Sequence, residues 1–439
     1  MKLSKNITAF LIAGIVIIGI LLRGNQYATW PRLGATFDEF AWVWQGMSIL
    51  KEGVPRSWSY HPQYKDREII QINGANFILV RPYLEHPPFF GLVAGTFAML
   101  TGQSEFTDIQ LPKIRMFSLI LGTVSVFFVF WLAALMYGNF TGLLAALIYA
   151  ITPTVAVGSR LMQNENFFIP MWLGMLICLW YYLKTNNRNL RTAVGVLGGL
   201  LILAKIPWIA GAISAAGILW YVKRVSDAWK VLLISLAIGS IYIFYGFYFD
   251  KTVFTGLMGL QLNRYDITFA GVYSLWLKPY LADRLFLDGW IYGGWLALLV
   301  LTSSVKKHWF LLFAVFSYAV LYAIGIPDEP GHGWYRYPFY PFLSIATAVV
   351  VREYIWPNPF YRFTFLLLVG LPLLSVTWGV SYGFSYFIYR GYILWSLISF
   401  LPYVARHKLS SRLTDVSFIA QCIFIFSLTV WAILGYNEQ

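Results

Sequence analysis

Long apolar runs separated by short polar clusters recur along almost the whole chain. A bilayer-spanning helix needs roughly 20 apolar residues. Runs near that length fall at 7–22, 113–136, 140–157, 163–183, 191–205, 207–222, 230–249, 288–304, 308–325, 335–351, 360–379, 386–404 and 415–435. The pattern predicts an all-α polytopic membrane protein with about 13 transmembrane helices, within a range of 11–13. The first run follows Lys2 and Lys5 as a secretory signal would. No small-residue cleavage site comes after it and many further runs do, so it reads as a retained helix. Residues 24–112 depart from the pattern: they are long, polar in places and amphipathic elsewhere, and predict juxtamembrane helices in a first loop.

Charge placement gives the runs a direction. Lys184, Arg188 and Arg191, then Lys223, Arg224 and Lys230, then Lys306 and Lys307, then Arg352 and Arg362, then Arg406, Lys408 and Arg412 occupy every second connection. By the positive-inside rule this places the N-terminus in the cytoplasm. The alternate connections carry the acids and the remaining cations. They are the first loop, residues 250–287 and residues 326–336. No repeat and no separate soluble domain is visible, so residues 1–439 read as one integral unit of a cell (plasma or inner) membrane.

Composition supports a lipid-facing exterior. Charged residues make up 12% of the chain, against roughly 25% in a soluble globular protein. The formal net charge of +13 is a topology signal and not a nucleic-acid-binding surface, because the cations sit in alternate membrane connections. Cys178 and Cys422 each lie in an apolar run and suggest neither a disulfide framework nor a metal cluster.

Candidate chemistry gathers on the face opposite the basic loops. Asp38-Glu39 opens an amphipathic stretch that continues through Trp42, Trp44 and Met47; helix capping would use the same acids. Glu85-His86-Pro87-Pro88 precedes another apolar stretch, with the prolines stiffening the chain; an ordinary helix start would look alike. Arg160 and Glu165 straddle the beginning of a spanning run. Lys205, before Pro207, is a cation at membrane depth and so a functional candidate, with snorkelling as the rival reading. His332 to Pro338, containing Arg336-Tyr337, and Arg264-Tyr265 add groups suited to phosphate oxygens, though interface anchoring would also use them. Neither a Walker loop nor a dinucleotide fingerprint is present. An enzyme working away from cytosolic nucleotide sugars needs a lipid-borne activated substrate.

The ordered set Asp38-Glu39, Gly53-Val54-Pro55, Glu85-His86-Pro87-Pro88, Arg115, Ser159-Arg160 with Glu165, Gly199 to Lys205-Ile206-Pro207, and Arg336-Tyr337 with Pro341 resembles the GT-C superfamily. These are glycosyltransferases dependent on polyprenyl-phosphate sugars. The nearest branches are the protein O-mannosyltransferases and the lipid A aminoarabinose transferases. The resemblance implies a GT-C fold and inverting transfer of a hexose or pentose to an acceptor hydroxyl of a glycan, lipid or protein. It implies Asp38 as base, with Glu39 and Glu165 shaping the acceptor site or stabilising charge at the sugar. It further implies His86, Lys205, Arg264, Arg336 and Tyr337 around the donor phosphate, supported by Glu85 and Arg160. Those lipid A enzymes carry Lys where His86 stands, and more often Asp where Glu165 stands. Some relatives hold a divalent metal near Glu85, so a metal is an open expectation; no other cofactor is implied. A flippase or transporter of a lipid-linked sugar, and a scaffold or assembly subunit, are the rival classes.

Overall fold

The computed structural model describes residues 4–72, 74–263, 275, 279–325, 332–375, 385–404 and 410–438. Its helices are α1 (Lys5–Gly24), α2 (Asp38–Glu52), α3 (Phe89–Leu100), α4 (Leu111–Tyr137), α5 (Asn139–Ile151), α6 (Pro153–Gly158), α7 (Asn164–Thr185), α8 (Arg188–Ala204), α9 (Ile209–Tyr221), α10 (Val225–Gly239) and α11 (Ile241–Asn263). They continue as α12 (Gly289–Thr302), α13 (Val305–Gly325), α14 (Tyr340–Val350), α15 (Pro359–Leu374), α16 (Tyr386–Val404) and α17 (Ser410–Leu434). Over the described residues the apolar runs predicted to span the membrane coincide with helix; 376–379 of the run 360–379 lie outside them. Among the described residues, six stretches are long and apolar enough to cross a bilayer by length and composition, and five further apolar helices are shorter.

The first loop differs from its expectation. It holds α2 and α3 but also a sheet of β1 (Ser57–Trp58), β2 (Asp66–Ile72) and β3 (Ala75–Arg81), ordered β1-β3-β2 and antiparallel throughout. The register pairs Ile69 with Ile78 and Ile72 with Ala75, so the hairpin closes around Gly74, whose φ is +79°. Asn-Gly between two β-branched runs is a strong hairpin signal, and it stands in the sequence at 73–74.

Small residues let α2 and α3 touch backbone to backbone. A Cβ on Gly46 would lie 1.8 Å from the carbonyl oxygen of Gly91, and one on Gly95 would lie 2.5 Å from the amide of Met47. The rest of α2 is set in aromatic packing. Trp44 stands edge-on to Phe77 of β3 at 5.2 Å, and Trp42 meets Phe90 of α3 at 5.5 Å. Helix α7 runs through the centre, with 67% of its most apolar window buried against 22% for α1.

Two ties bring the far ends of the chain to the face that carries α2. The Asn25 side chain donates to the carbonyl of Leu434 (3.3 Å). Arg32 grips Asp283 in a bidentate pair (2.7 and 3.2 Å) and also donates to Glu438 (2.8 Å). α1 and α17 therefore end at the same face.

Candidate active site

Pro207 determines where Lys205 sits. Its ring cannot continue a helix and it has no N–H to donate. Helix α8 accordingly stops at Ala204, Lys205 is extended (φ −162°), and Ile206–Trp208 form a 3₁₀ turn. The freed carbonyl of Ala204 accepts from the Asn164 side chain (2.8 Å), and Asn164 Oδ1 accepts from the Trp208 indole. The break is thus satisfied from the first turn of α7. One residue on, Glu165 accepts from Lys205 Nζ at 2.8 Å. The ammonium also lies over the Tyr335 ring at 4.7 Å. The second oxygen of Glu165 is buried and has no hydrogen-bond partner among the described residues.

Asp38 and Glu39 begin α2, and a helix turns about 100° per residue, so neighbours face different directions. The Asp38 N–H donates to Thr36 Oγ1 (3.2 Å). Gln163 links this turn to α7: its amide donates to Thr36 Oγ1 (2.9 Å), accepts from the Trp42 indole (3.4 Å) and hydrogen-bonds the Asp38 carboxylate. Asp38 opens onto a cavity on one side and is crowded by protein on the others. Burial pushes its carboxyl above the usual carboxylate range; Lys205 and His332 oppose the shift, Glu165 adds to it, and the Gln163 hydrogen bond opposes it. Glu39 is instead fully enclosed. Arg115 of α4 donates to both its oxygens (2.9 and 2.8 Å), and the Met162 N–H adds a third bond (2.8 Å). Arg115 also donates to the carbonyl of Tyr27 (2.9 Å), so one guanidinium ties the loop after α1 to α2 and α4.

The cavity holds about 310 Å³. Asp38, His86 and Lys205 line it, as do Glu85 and His61, whose side chains approach to 3.7 Å. Trp42, Trp58, Tyr60, Tyr83 and Tyr335 supply aromatic wall, and Ile206, Pro207 and Gly325 are also in the lining. Among the described residues no three His, Cys, Asp or Glu side chains converge as metal ligands. Glu85 and His61 would supply two.

The other expected site residues lie behind this lining. Glu165 reaches the cavity through Lys205. Arg160 donates to the carbonyls of Arg23 and Leu22 (both 3.1 Å), where it closes the end of α1. The Tyr337 ring lies where a Cβ on Gly158 would be, 2.5 Å from its Cζ, and its hydroxyl accepts from the Ala282 N–H (3.3 Å). Arg336 is buried, with its guanidinium carbon 5.8 Å from the Tyr280 ring centre. Arg264 lies outside the described residues. The sequence reading passed over His61, Trp58 and Tyr60 in the lining, and Gln163 behind Asp38. Alternation through Ser57-Trp58-Ser59-Tyr60 was the available signal for a strand carrying aromatics.

This arrangement of helices has known counterparts. ArnT from Cupriavidus metallidurans, in a crystal structure bound to undecaprenyl phosphate, superimposes with a TM-score of 0.59. It is 17% identical, over 99% of this chain and 77% of that one. The Archaeoglobus fulgidus oligosaccharyltransferase in its apo form gives 0.56 at 12% identity, over 99% of this chain and 57% of that one. This is a GT-C fold. The family model for dolichyl-phosphate-mannose-protein mannosyltransferase matches residues 85–245, which runs from Glu85 through Lys205. No curated protein matches the sequence at a significant level. Within the GT-C frame, the first loop brings Asp38 and His86 to the cavity, and the α7–α8 pair brings Lys205.

Proposed function

We propose that this protein is an inverting glycosyltransferase that moves a sugar from a polyprenyl-phosphate-linked donor to an acceptor hydroxyl on the extracytoplasmic face. The carrying observation is the convergence of Asp38, His86 and the Glu165–Lys205 pair on one cavity. The GT-C fold, the mannosyltransferase family match and a structural counterpart bound to undecaprenyl phosphate support the reading. We read residues 24–112 as an integral part of one catalytic unit.

Asp38 takes the proton from the acceptor hydroxyl as that oxygen attacks the anomeric carbon. The new glycosidic bond forms while the bond from the anomeric carbon to the lipid phosphate oxygen breaks, and the phosphate leaves with the bonding electrons. A positioned base contributes about 10²–10⁴-fold. The leaving phosphate needs no proton when fixed cations meet its charge. Lys205 supplies one such cation and His86 a hydrogen-bonding partner; we assign Arg264 and Arg336 to the same anion as outer contributors. Glu39 and Arg160 act as positioning residues, and Tyr337 acts through its packing on Gly158. One displacement inverts the anomeric centre. No step is routed through a metal.

The test uses purified protein in nanodiscs with radiolabelled polyprenyl-phosphate sugars. Release or transfer of the sugar, lost in Asp38→Asn, is the expected result. Movement of the intact lipid without cleavage would replace the reading with a transporter.

A further inference from the structure

The cavity lining falls into two chemical groups. One is Lys205, whose ammonium lies over the Tyr335 ring at 4.7 Å, followed by Ile206 and Pro207. The other is Trp58, Tyr60 and His61 of the first loop together with Glu85, which approaches His61 to 3.7 Å. The ring centres run in sequence, Trp58 to Tyr60 at 6.0 Å and Tyr60 to His61 at 4.5 Å, and Tyr60 is 59% exposed. Asp38 and Tyr83 line the same cavity as both groups.

Exposed rings beside a carboxylate and an imidazole match the surface of a sugar. The C–H face of a pyranose packs on an aromatic ring, and its hydroxyls donate to a carboxylate or imidazole nitrogen. A peptide acceptor is the less suited class. It would seek an unpaired strand edge, but the open edge of the sheet is on β2, which gives no residue to the cavity, while β1 pairs with β3 and its Ser57 Oγ donates to the carbonyl of Ala41 in α2 (2.7 Å).

We propose that Trp58, Tyr60, His61 and Glu85 form an acceptor subsite for a saccharide. The proposal rests on the transferase reading and adds the acceptor class. The donor phosphate then meets Lys205 and the acceptor sugar meets the rings, with Asp38 in the same cavity to take the acceptor hydroxyl's proton.

The experiment offers the nanodisc-embedded protein a labelled polyprenyl-phosphate sugar, with either a panel of soluble methyl glycosides and disaccharides or a Ser/Thr hexapeptide. The readout is the ratio of transfer to hydrolysis. In Tyr60→Ala that ratio for a saccharide acceptor should fall about tenfold, the scale of one lost aromatic contact. Tyr60→Leu serves as a second variant that keeps apolar bulk without the ring and should show the same fall. An unchanged ratio in both variants, or preferential transfer to the peptide, overturns the subsite and leaves the transferase standing. If wild type cleaves no donor, the transferase reading fails. The subsite is then judged by saturation-transfer NMR with the same saccharides, where a signal lost in both Tyr60 variants supports it and a signal unaffected by them overturns it.

Discussion

The buried pairs Glu39–Arg115 and Glu165–Lys205 are built differently. Glu39 and Arg115 form a closed pair: two parallel N–H···O bonds, a third from Met162 N–H, and an Arg115 bond to Tyr27 that ties in the preceding loop. Glu165 and Lys205 form an open pair: one bond, one carboxylate oxygen without a partner among the described residues, and an ammonium on the cavity wall. Guanidinium and carboxylate fit as forks, which suits a permanent joint. An ammonium is a compact charge with three rotatable donors, so one bond to Glu165 leaves capacity for a ligand oxygen. Neighbouring acids in the sequence, Asp38 and Glu39, are divided between these two environments by a single step of helix rotation.

The strongest challenge to this contrast is Asp38→Asn. Turnover should drop about 10²–10⁴-fold while thermal unfolding in detergent is unchanged. Near-normal turnover would remove Asp38 as base. Breaking the closed pair should do the reverse. Arg115→Ala leaves Glu39 buried without its partner, and losing one partner of such a pair costs about 3–5 kcal/mol. A large fall in melting temperature is expected; an inactive variant of wild-type stability would mean that Glu39 does chemistry after all. The open pair is probed by the double variant Glu165→Gln, Lys205→Gln, which removes both charges together. Donor binding should weaken about tenfold to a hundredfold, the worth of a charged hydrogen bond, with little loss of stability. Unchanged affinity for the lipid phosphate would take Lys205 out of the donor site.

The smallest effect concerns pH. Asp38 must be ionised to act as base, and its folded pKa is raised mainly by burial. Turnover should therefore fall with decreasing pH along a limb above the ordinary aspartate value of about 3.9. The Gln163 hydrogen bond favours the ionised form. Its removal in Gln163→Leu should move the limb to higher pH, as a pH profile would show. A limb that stays in place would mean that Gln163 only packs α7 against α2.

Much of the scaffold was legible before any coordinates. Apolar run length placed the helices, because lipid leaves the backbone no alternative partner to its own carbonyls; six of them are long and apolar enough to span among the described residues. The break at Lys205-Ile206-Pro207 was equally legible, since a proline's missing N–H acts locally. The sheet of the first loop was not read, although Asn-Gly at 73–74 announced a hairpin. Short strands compete with amphipathic helix when only periodicity is consulted.

By itself the sequence determined the helical frame and its break before Pro207, and it set the candidate acids and cations in alternate connections. These follow from local rules of hydrophobic length, proline geometry and charge placement, whereas Asp38 and His86 as candidates rest on the GT-C resemblance. Only the tertiary structure decided that Glu39 closes on Arg115, 76 positions away, while Asp38 opens on the cavity. It alone set Tyr337 against Gly158 and brought Trp58, Tyr60 and His61 into one cavity with Lys205. Those outcomes depend on which faces of distant helices meet, and a one-dimensional pattern does not carry rotation about a helix axis or the packing partner across it.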